Sequence, residues 1–266
     1  MKDLLIRTAS GALYIALLLG SLLWSKIAFL IVVFVFGVLV SLEYCRLNKF
    51  PVWIGIPLLA ILAGVLHWVV PSWVDPTLIV SFNIIVNLAL LHWLFKADGV
   101  LMPPLRPLVF VGYLCLGIGS LSLLPLDNEV FNYKVVIAVF LMLWANDSFA
   151  YLVGRNFGKT KLMERVSPKK TVEGFLGGAV GAIGIGIAAH MIYGVYGLWN
   201  WIILAAIVVI FGTLGDLVQS KMKREAGVKD SGVIMPGHGG LYDRMDSLIY
   251  AAPFVYIFLI LNCYVS

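Results

Sequence analysis

The sequence predicts an all-α, polytopic integral membrane protein. Of 266 residues, 61% are apolar and only 12% charged, and the mean hydropathy is +0.99. A soluble domain is about 45–50% apolar. The apolar runs are each about 20 residues long, the length at which an α-helix crosses a bilayer. None alternates in polarity as barrel strands do, and backbone groups in hydrocarbon must bond within their own segment.

Nine helices are expected, at 8–24, 27–44, 52–70, 77–95, 107–124, 135–152, 172–193, 198–220 and 241–264. The first follows Lys2 and Arg7 and lacks a small-residue cleavage site, so it reads as a retained span rather than a signal peptide. The third carries Pro57 one turn inside its start. The seventh has Thr171 as a candidate N-cap. It also bears Gly174, Gly177, Gly178, Gly181, Gly184 and Gly186, small residues at a spacing that lets helices approach closely. With the N-terminus in the cytoplasm, every basic residue except Lys26 and Lys134 falls on the cytoplasmic side, as the positive-inside bias requires. Nine spans then place the C-terminus outside. Residues 1–130 form an N-terminal set of about five helices. Residues 131–266 form a region with two cytoplasmic loops, 153–171 and 221–240, and any catalytic chemistry is expected there and in the nearby helix ends. Cys45, Cys115 and Cys263 are far apart and read as packing residues, neither a disulfide framework nor a zinc site. His67, His92 and His190 are isolated in apolar stretches and read as structural.

Charged side chains inside a bilayer cost about 2.5–3.5 kcal/mol each on insertion scales and usually mark function. Asp147 lies eight residues before Arg155, hence about 12 Å from the cytoplasmic end of its helix. Asp216 lies five residues before Lys221, about 7–8 Å deep by the same rise. Asp243 and Asp246 open the ninth helix on one face. The alternative for each is a helix cap or a local ion pair. Asp216, Asp243 and Asp246 together suit a hard cation such as Mg²⁺, held by carboxylates, substrate phosphates and water. Two further features suit anions. Ser167-Pro168-Lys169-Lys170-Thr171 sets two lysines at the positive end of the seventh helix, although the same lysines also fit simple headgroup contact. Pro236-Gly237-His238-Gly239-Gly240 is a turn of the kind whose backbone N–H groups bind phosphate, with a plain interhelical turn as the alternative. His238 reads as a loop brace rather than a phosphate donor.

The run from Ser220 to Asp246, S-x-M-K-R-x4-K-D-S-G-x-x-M-P-G-H-G-G-L-x-D-R-M-D, resembles the signature of the phosphatidate cytidylyltransferases, the CDP-diacylglycerol synthases. Ser167-Pro168-Lys169-Lys170-Thr171-Val172-Glu173-Gly174-Phe175 is similar to the family's S-P-x-K-T-x-x-G-F segment, and Asp147-Ser148 with Ala150-Tyr151 to its D-S-G-A-Y segment. Phe149 departs from that pattern, standing where a small residue is expected. The first 130 residues match only as hydrophobic spans. The resemblance implies CTP + phosphatidic acid → CDP-diacylglycerol + pyrophosphate with a divalent metal, usually Mg²⁺ and up to two cations. It implies Asp216, Asp243 and Asp246 as catalytic metal ligands. Lys169, Lys170, Lys223, Arg224 and Lys229 would hold phosphates. Asp147, Ser167, Thr171, Ser220, Asp230, His238, Gly239, Gly240 and Arg244 would complete the substrate site. The expected partners are CTP, phosphatidic acid and membrane lipid, with no nucleic acid and with a homodimer left open. The expected place is a bacterial inner membrane, the site facing the cytoplasm.

Two other functions stay open on sequence. A CTP-dependent lipid alcohol kinase would use similar residues but transfer the γ-phosphoryl group. A lipid or anion transporter would also carry intramembrane carboxylates, but no inverted repeat is visible and the polar residues crowd one face.

Overall fold

Helices fill the structure, a computed structural model that describes residues 2–69, 75–96, 99–101, 103–127 and 130–263. Eight are long and apolar enough to cross a membrane. In chain order the helices are α1 (Lys2–Trp24), α2 (Lys26–Leu47), α3 (Val52–Gly64), α4 (Pro76–Phe95), α5 (Pro103–Leu123), α6 (Tyr133–Phe157), α7 (Val172–Tyr193), α8 (Leu198–Glu225) and α9 (Tyr242–Cys263). The expected ends of the third and ninth helices, Val70 and Tyr264, lie outside the described residues.

The third helix is the short one. Its α-helical part ends at Gly64 and runs on as a π-helical turn, Val65–Val69. Those 18 residues span about 25–27 Å at the α-helical rise, close to a hydrocarbon thickness of about 30 Å. Its start packs on the end of α2, where a Cβ on Gly55 would lie 2.8 Å from Cys45 Sγ. Its end lines a cavity with Lys26, at the start of α2. The short helix therefore lies alongside α2, but it falls below the length of the eight helices that are long enough to cross, so among the described residues eight of the nine expected spans reach spanning length.

Helix termini follow local chemistry. Ser25 caps α2 by accepting from the Ala28 amide at 3.1 Å, and Asp75 caps α4 through Thr77 at 2.8 Å. Thr171 caps α7, its hydroxyl accepting from Gly174 N at 3.1 Å, as the sequence suggests. Two small antiparallel hairpins join the helices, β1 (Leu126–Asp127) with β2 (Val130–Phe131), and β3 (Lys161–Met163) with β4 (Ser167–Thr171). The second replaces the loop expected before the seventh helix. Glu173, in the first turn of α7, locks it by accepting from the amides of Lys159 at 3.0 Å and Thr160 at 3.1 Å.

Glycines set the tightest contacts. The α7 glycines 174, 177, 178 and 181 face Ala150, Val153, Asn146 and Phe149 of α6, and a Cβ at any of them would collide with α6. Phe149 thus packs against the glycine face, which explains how this large side chain is accommodated. Gly215 plays the same part between α8 and α9: its Cβ would lie 2.9 Å from the Asp246 carbonyl oxygen. Cys45 and Cys115 are free and buried; the side chain of Cys263 lies outside the described residues.

α8 runs five residues past the predicted end at 220. Lys221 is only 6% exposed, because its ammonium caps α4. It donates to the carbonyls of Trp93 at 2.6 Å and Lys96 at 3.0 Å and sits 4.2 Å above the Trp93 ring. Hydropathy marks where the apolar run stops; the helix stops only where its last basic side chains have found partners.

Candidate active site

The acidic residues of α6, α8 and α9 meet basic residues at one end of the bundle. Lys170 Nζ lies 2.6 Å from Asp216 Oδ2, and Ser220 Oγ donates to Asp216 Oδ1 at 3.1 Å. Asp147, Asp216 and Asp246 lie close enough for their charges to interact with one another and with Lys170. Asp246 is 6% exposed, with Oδ1 accepting from Ser247 N at 2.6 Å. Burial works against the Lys170 ammonium, but the Asp216 carboxylate, with Asp147 and Asp246 behind it, outweighs that cost and raises its pKa. The lysine is therefore charged at neutral pH.

Asp243 stands differently. Its Oδ1 accepts from Lys223 Nζ at 2.7 Å and Gln219 Nε2 at 3.1 Å. Its Oδ2 accepts from the amides of Ser231 at 2.8 Å and Gly240 at 3.1 Å. Both oxygens are thus engaged in fixing the 231–240 loop to α8.

The loop itself is folded tightly. The amides of His238 and Gly239 both donate to the Met235 carbonyl, at 3.0 and 3.1 Å. Gly237 at φ +74° and Gly239 at φ +89° occupy the left-handed region where glycine is favoured. With Gly240 N on Asp243, these three amides are used within the loop. His238 Nδ1 pairs with Ser10 Oγ at 2.8 Å, and Ser10 also donates to Pro236 O at 3.0 Å, so α1 clasps the turn. Burial and the charges of Arg244 and Arg7 hold the imidazole below its usual pKa, so it is a neutral brace. Arg244 donates to the His238 carbonyl at 2.9 Å and acts electrostatically on Asp147.

Of the other expected site residues, Thr171 and Ser220 are buried beside the cluster. Lys169 and Lys170 alternate along β4: Lys170 turns to Asp216, while Lys169 is exposed. Ser167 sits at the far end of β4, paired with Met163. Arg224 donates to the Val228 carbonyl at 3.1 Å and, like Lys229 and Asp230, is exposed.

Glu43 was missed by the sequence reading. It lies on α2, 1% exposed, and its Oε2 accepts from Tyr242 N at 2.8 Å and Ser231 Oγ at 3.3 Å. Gly232 and Gly240 pack so closely on it that a Cβ at either would collide with its carboxylate. The only sequence signal was an acid near the end of an apolar span.

Among the described residues, no three His, Cys, Asp or Glu side chains converge closely enough to enclose a metal ion. Asp216 and Asp246 do interact as a pair. Mg²⁺ is commonly held by one or two carboxylates with substrate phosphates and water. The residues therefore fit a cation completed by substrate better than a closed protein cage.

A helical bundle of this length and apolarity, with carboxylates and ammonium groups gathered at one end, defines a polytopic membrane protein. The chain belongs to the cytidylyltransferase family, whose profile matches residues 5–262. It is 34% identical over 263 residues to a phosphatidate cytidylyltransferase of Staphylococcus saprophyticus, covering 96% of this chain and 98% of that protein. It is 43% identical over 147 residues to the phosphatidate cytidylyltransferase of Staphylococcus aureus, covering 54% and 55%. For that of Staphylococcus epidermidis the figures are 41% over 145 residues, 54% and 55%.

Glu43→Ala would leave the Tyr242 amide and the Ser231 hydroxyl without their acceptor, at about 1–3 kcal/mol for a buried group left unpaired. Hydrogen exchange in residues 230–242 of the detergent-solubilised protein should then speed up by roughly ten- to a hundredfold if the loop opens locally. Unchanged exchange in that segment would show that Glu43 does not hold it.

Proposed function

We propose that this protein transfers the cytidylyl group of CTP to phosphatidic acid, forming CDP-diacylglycerol and releasing pyrophosphate at the cytoplasmic face of a bacterial inner membrane. The observation that carries this reading is the grouping of Asp147, Asp216 and Asp246 around Lys170, with Arg244 acting on Asp147. Two cations and several carboxylates in one cluster suit a reaction between two phosphate-bearing substrates and a divalent cation.

In the proposed reaction a phosphate oxygen of phosphatidic acid forms a bond to the α-phosphorus of CTP. The bond from that phosphorus to the β-phosphate oxygen breaks, and the electron pair leaves with pyrophosphate. The attacking phosphate is already ionised, so the residues need only orient two polyanions and neutralise charge. Lys170 and Arg244 hold phosphates, while Lys223 keeps Asp243 and the 231–240 loop in place. Asp216 and Asp246 would hold Mg²⁺, which when bound supplies positive charge beside the leaving pyrophosphate. Asp243 serves in this scheme as the anchor of the loop.

Purified protein given CTP, phosphatidic acid and Mg²⁺ should move label from α-³²P CTP into lipid, and none from γ-³²P CTP. The reverse pattern would make it a lipid kinase. Asp216→Asn and Asp246→Asn should each abolish turnover in folded protein, and chelation should abolish it reversibly. Full activity in either variant, or with chelator present, would remove the cation from these carboxylates.

The two lysines of β4 should separate. Lys170→Gln removes a charge-assisted bond worth about 1.5–3 kcal/mol, hence roughly ten- to a hundredfold in kcat/KM. Lys169→Gln should change it by less than about threefold, as for an exposed charge. Equal losses in neutral micelles would reject the assignment of Lys170 alone to substrate.

For orientation, Val233 is 88% exposed on the loop beside the site. Val233→Cys should react with an impermeant thiol reagent from the cytoplasmic side only, once the native cysteines are replaced. Labelling from the outer side would invert the proposed topology.

A further inference from the structure

A cavity of about 620 Å³ lies between α2, α3 and α5, at the end of α2 opposite to Glu43 and the candidate site. Its volume falls within the roughly 300–1,000 Å³ of small-molecule sites. Leu30, Ile31, Phe34, Leu59, Ala63 and Ile118 make its wall apolar. Three polar side chains also line it: Lys26, His67 and Ser122. His67 Nε2 is 2.9 Å from Ser122 Oγ, and Ser122 donates to the Gly119 carbonyl at 2.6 Å. That donation uses the hydroxyl's one proton, so His67 Nε2 is the donor to Ser122. The Lys26 charge acts on His67, so the three polar groups share one region of the wall.

Its depth follows from the turn beside it. Lys26 is the first residue of α2, and Trp24, two residues earlier, is 85% exposed. Exposed Trp and terminal Lys belong at the membrane–water boundary. The polar end therefore sits at headgroup level and the apolar wall in hydrocarbon. Two π-helical turns contribute to the lining: Val65–Val69 through His67, and Phe110–Cys115 within α5 through Cys115. Such turns gather at functional sites.

An apolar cavity of this size would be costly to leave empty and offers water few partners, while acyl chains surround it. The Lys26 ammonium would meet a lipid phosphate; in a zwitterionic lipid the headgroup's own ammonium already balances that phosphate, so a net-anionic lipid gains more from the lysine. We propose that this cavity is a binding site for an anionic phospholipid of the leaflet opposite the candidate site, with one acyl chain between α2 and α3 and its phosphate on Lys26, beside the His67–Ser122 pair. The site is separate from the proposed reaction and stands without it. A lipid seated there fills the space behind α5, whose Gly117 packs directly on Ile249 of α9.

The test is native mass spectrometry of the full chain in neutral detergent, titrated with phosphatidylglycerol or with phosphatidylcholine of the same acyl chains. The wild-type protein should retain one phosphatidylglycerol with about fivefold or greater preference over phosphatidylcholine, as expected for one interfacial lysine. Lys26→Gln should abolish that preference, whereas Lys134→Gln, the other basic residue expected on that face, should keep it. Ala63→Phe, which fills the cavity, should remove retention of both lipids. Equal retention of the two lipids by the wild type, or a preference that survives Lys26→Gln, would overturn the proposal. Lipid-free dimers that Ala63→Phe converts to monomers would overturn it too, by showing a second copy in the cavity. If Ala63→Phe does not fold, the Lys26 and Lys134 variants decide the question between them.

Discussion

A carboxylate cannot stay ionised inside a bilayer-embedded bundle without a compensating partner, and this constraint organises the end of the protein that carries the site. Asp216 is compensated by Lys170, which reaches it from β4, so the hairpin must lie against α8. Asp243 is compensated by Lys223, so α8 must continue well past its apolar run before it ends. The two ion pairs fix where the hairpin, α8 and α9 stand relative to one another. The glycines of α7 and Gly215 of α8 then let the backbones come near enough for the charges to interact.

Glu43 obeys the same rule by another route. A buried carboxylate can be held by donors other than a cation: here the Tyr242 amide and the Ser231 hydroxyl bond Oε2, while the buried Oε1 has no hydrogen-bond partner among the described residues. The consequence reaches back to the sequence. Gly232 and Gly240 lack side chains because Glu43 fills the space where a Cβ would stand. Gly237 and Gly239 meet a different requirement, that of positive φ. One glycine-rich loop thus answers to two unrelated constraints, close approach and backbone conformation.

The spans were legible because hydropathy reports what a bilayer selects, and every predicted helix has its counterpart. The short third helix was also legible as the weakest, from Pro57. Three things were not legible. The β3–β4 hairpin is held by Glu173 and backbone pairing across a polar stretch with no apolar alternation, so nothing in its local pattern announces a strand. The continuation of α8 depends on Lys221 meeting carbonyls of α4, a contact 128 residues away in sequence. The Glu43–Tyr242 contact spans 199 residues. Local reading located the carboxylates and the loop, but which oxygens are engaged and which remain accessible is decided by such distant contacts.

That distinction separates the two ion pairs. Lys223 and Asp243 are 10% and 9% exposed, and Asp243 accepts three further hydrogen bonds, so opening the pair would leave several buried donors unpaired. Lys170 and Asp216 are 27% and 32% exposed, and only Ser220 adds a bond to the carboxylate. Their pair can open into solvent at far smaller cost. Under the proposed reaction this asymmetry has a use. An arriving phosphate offers Lys170 a new anion, and a divalent cation arriving with that phosphate offers Asp216 a new positive charge. Charge stays balanced when the lysine is drawn from carboxylate to substrate, while the loop anchored by Asp243 does not move. The resting protein thus keeps the Lys223–Asp243 pair locked, yet leaves breakable the one pair that substrate can replace on both sides.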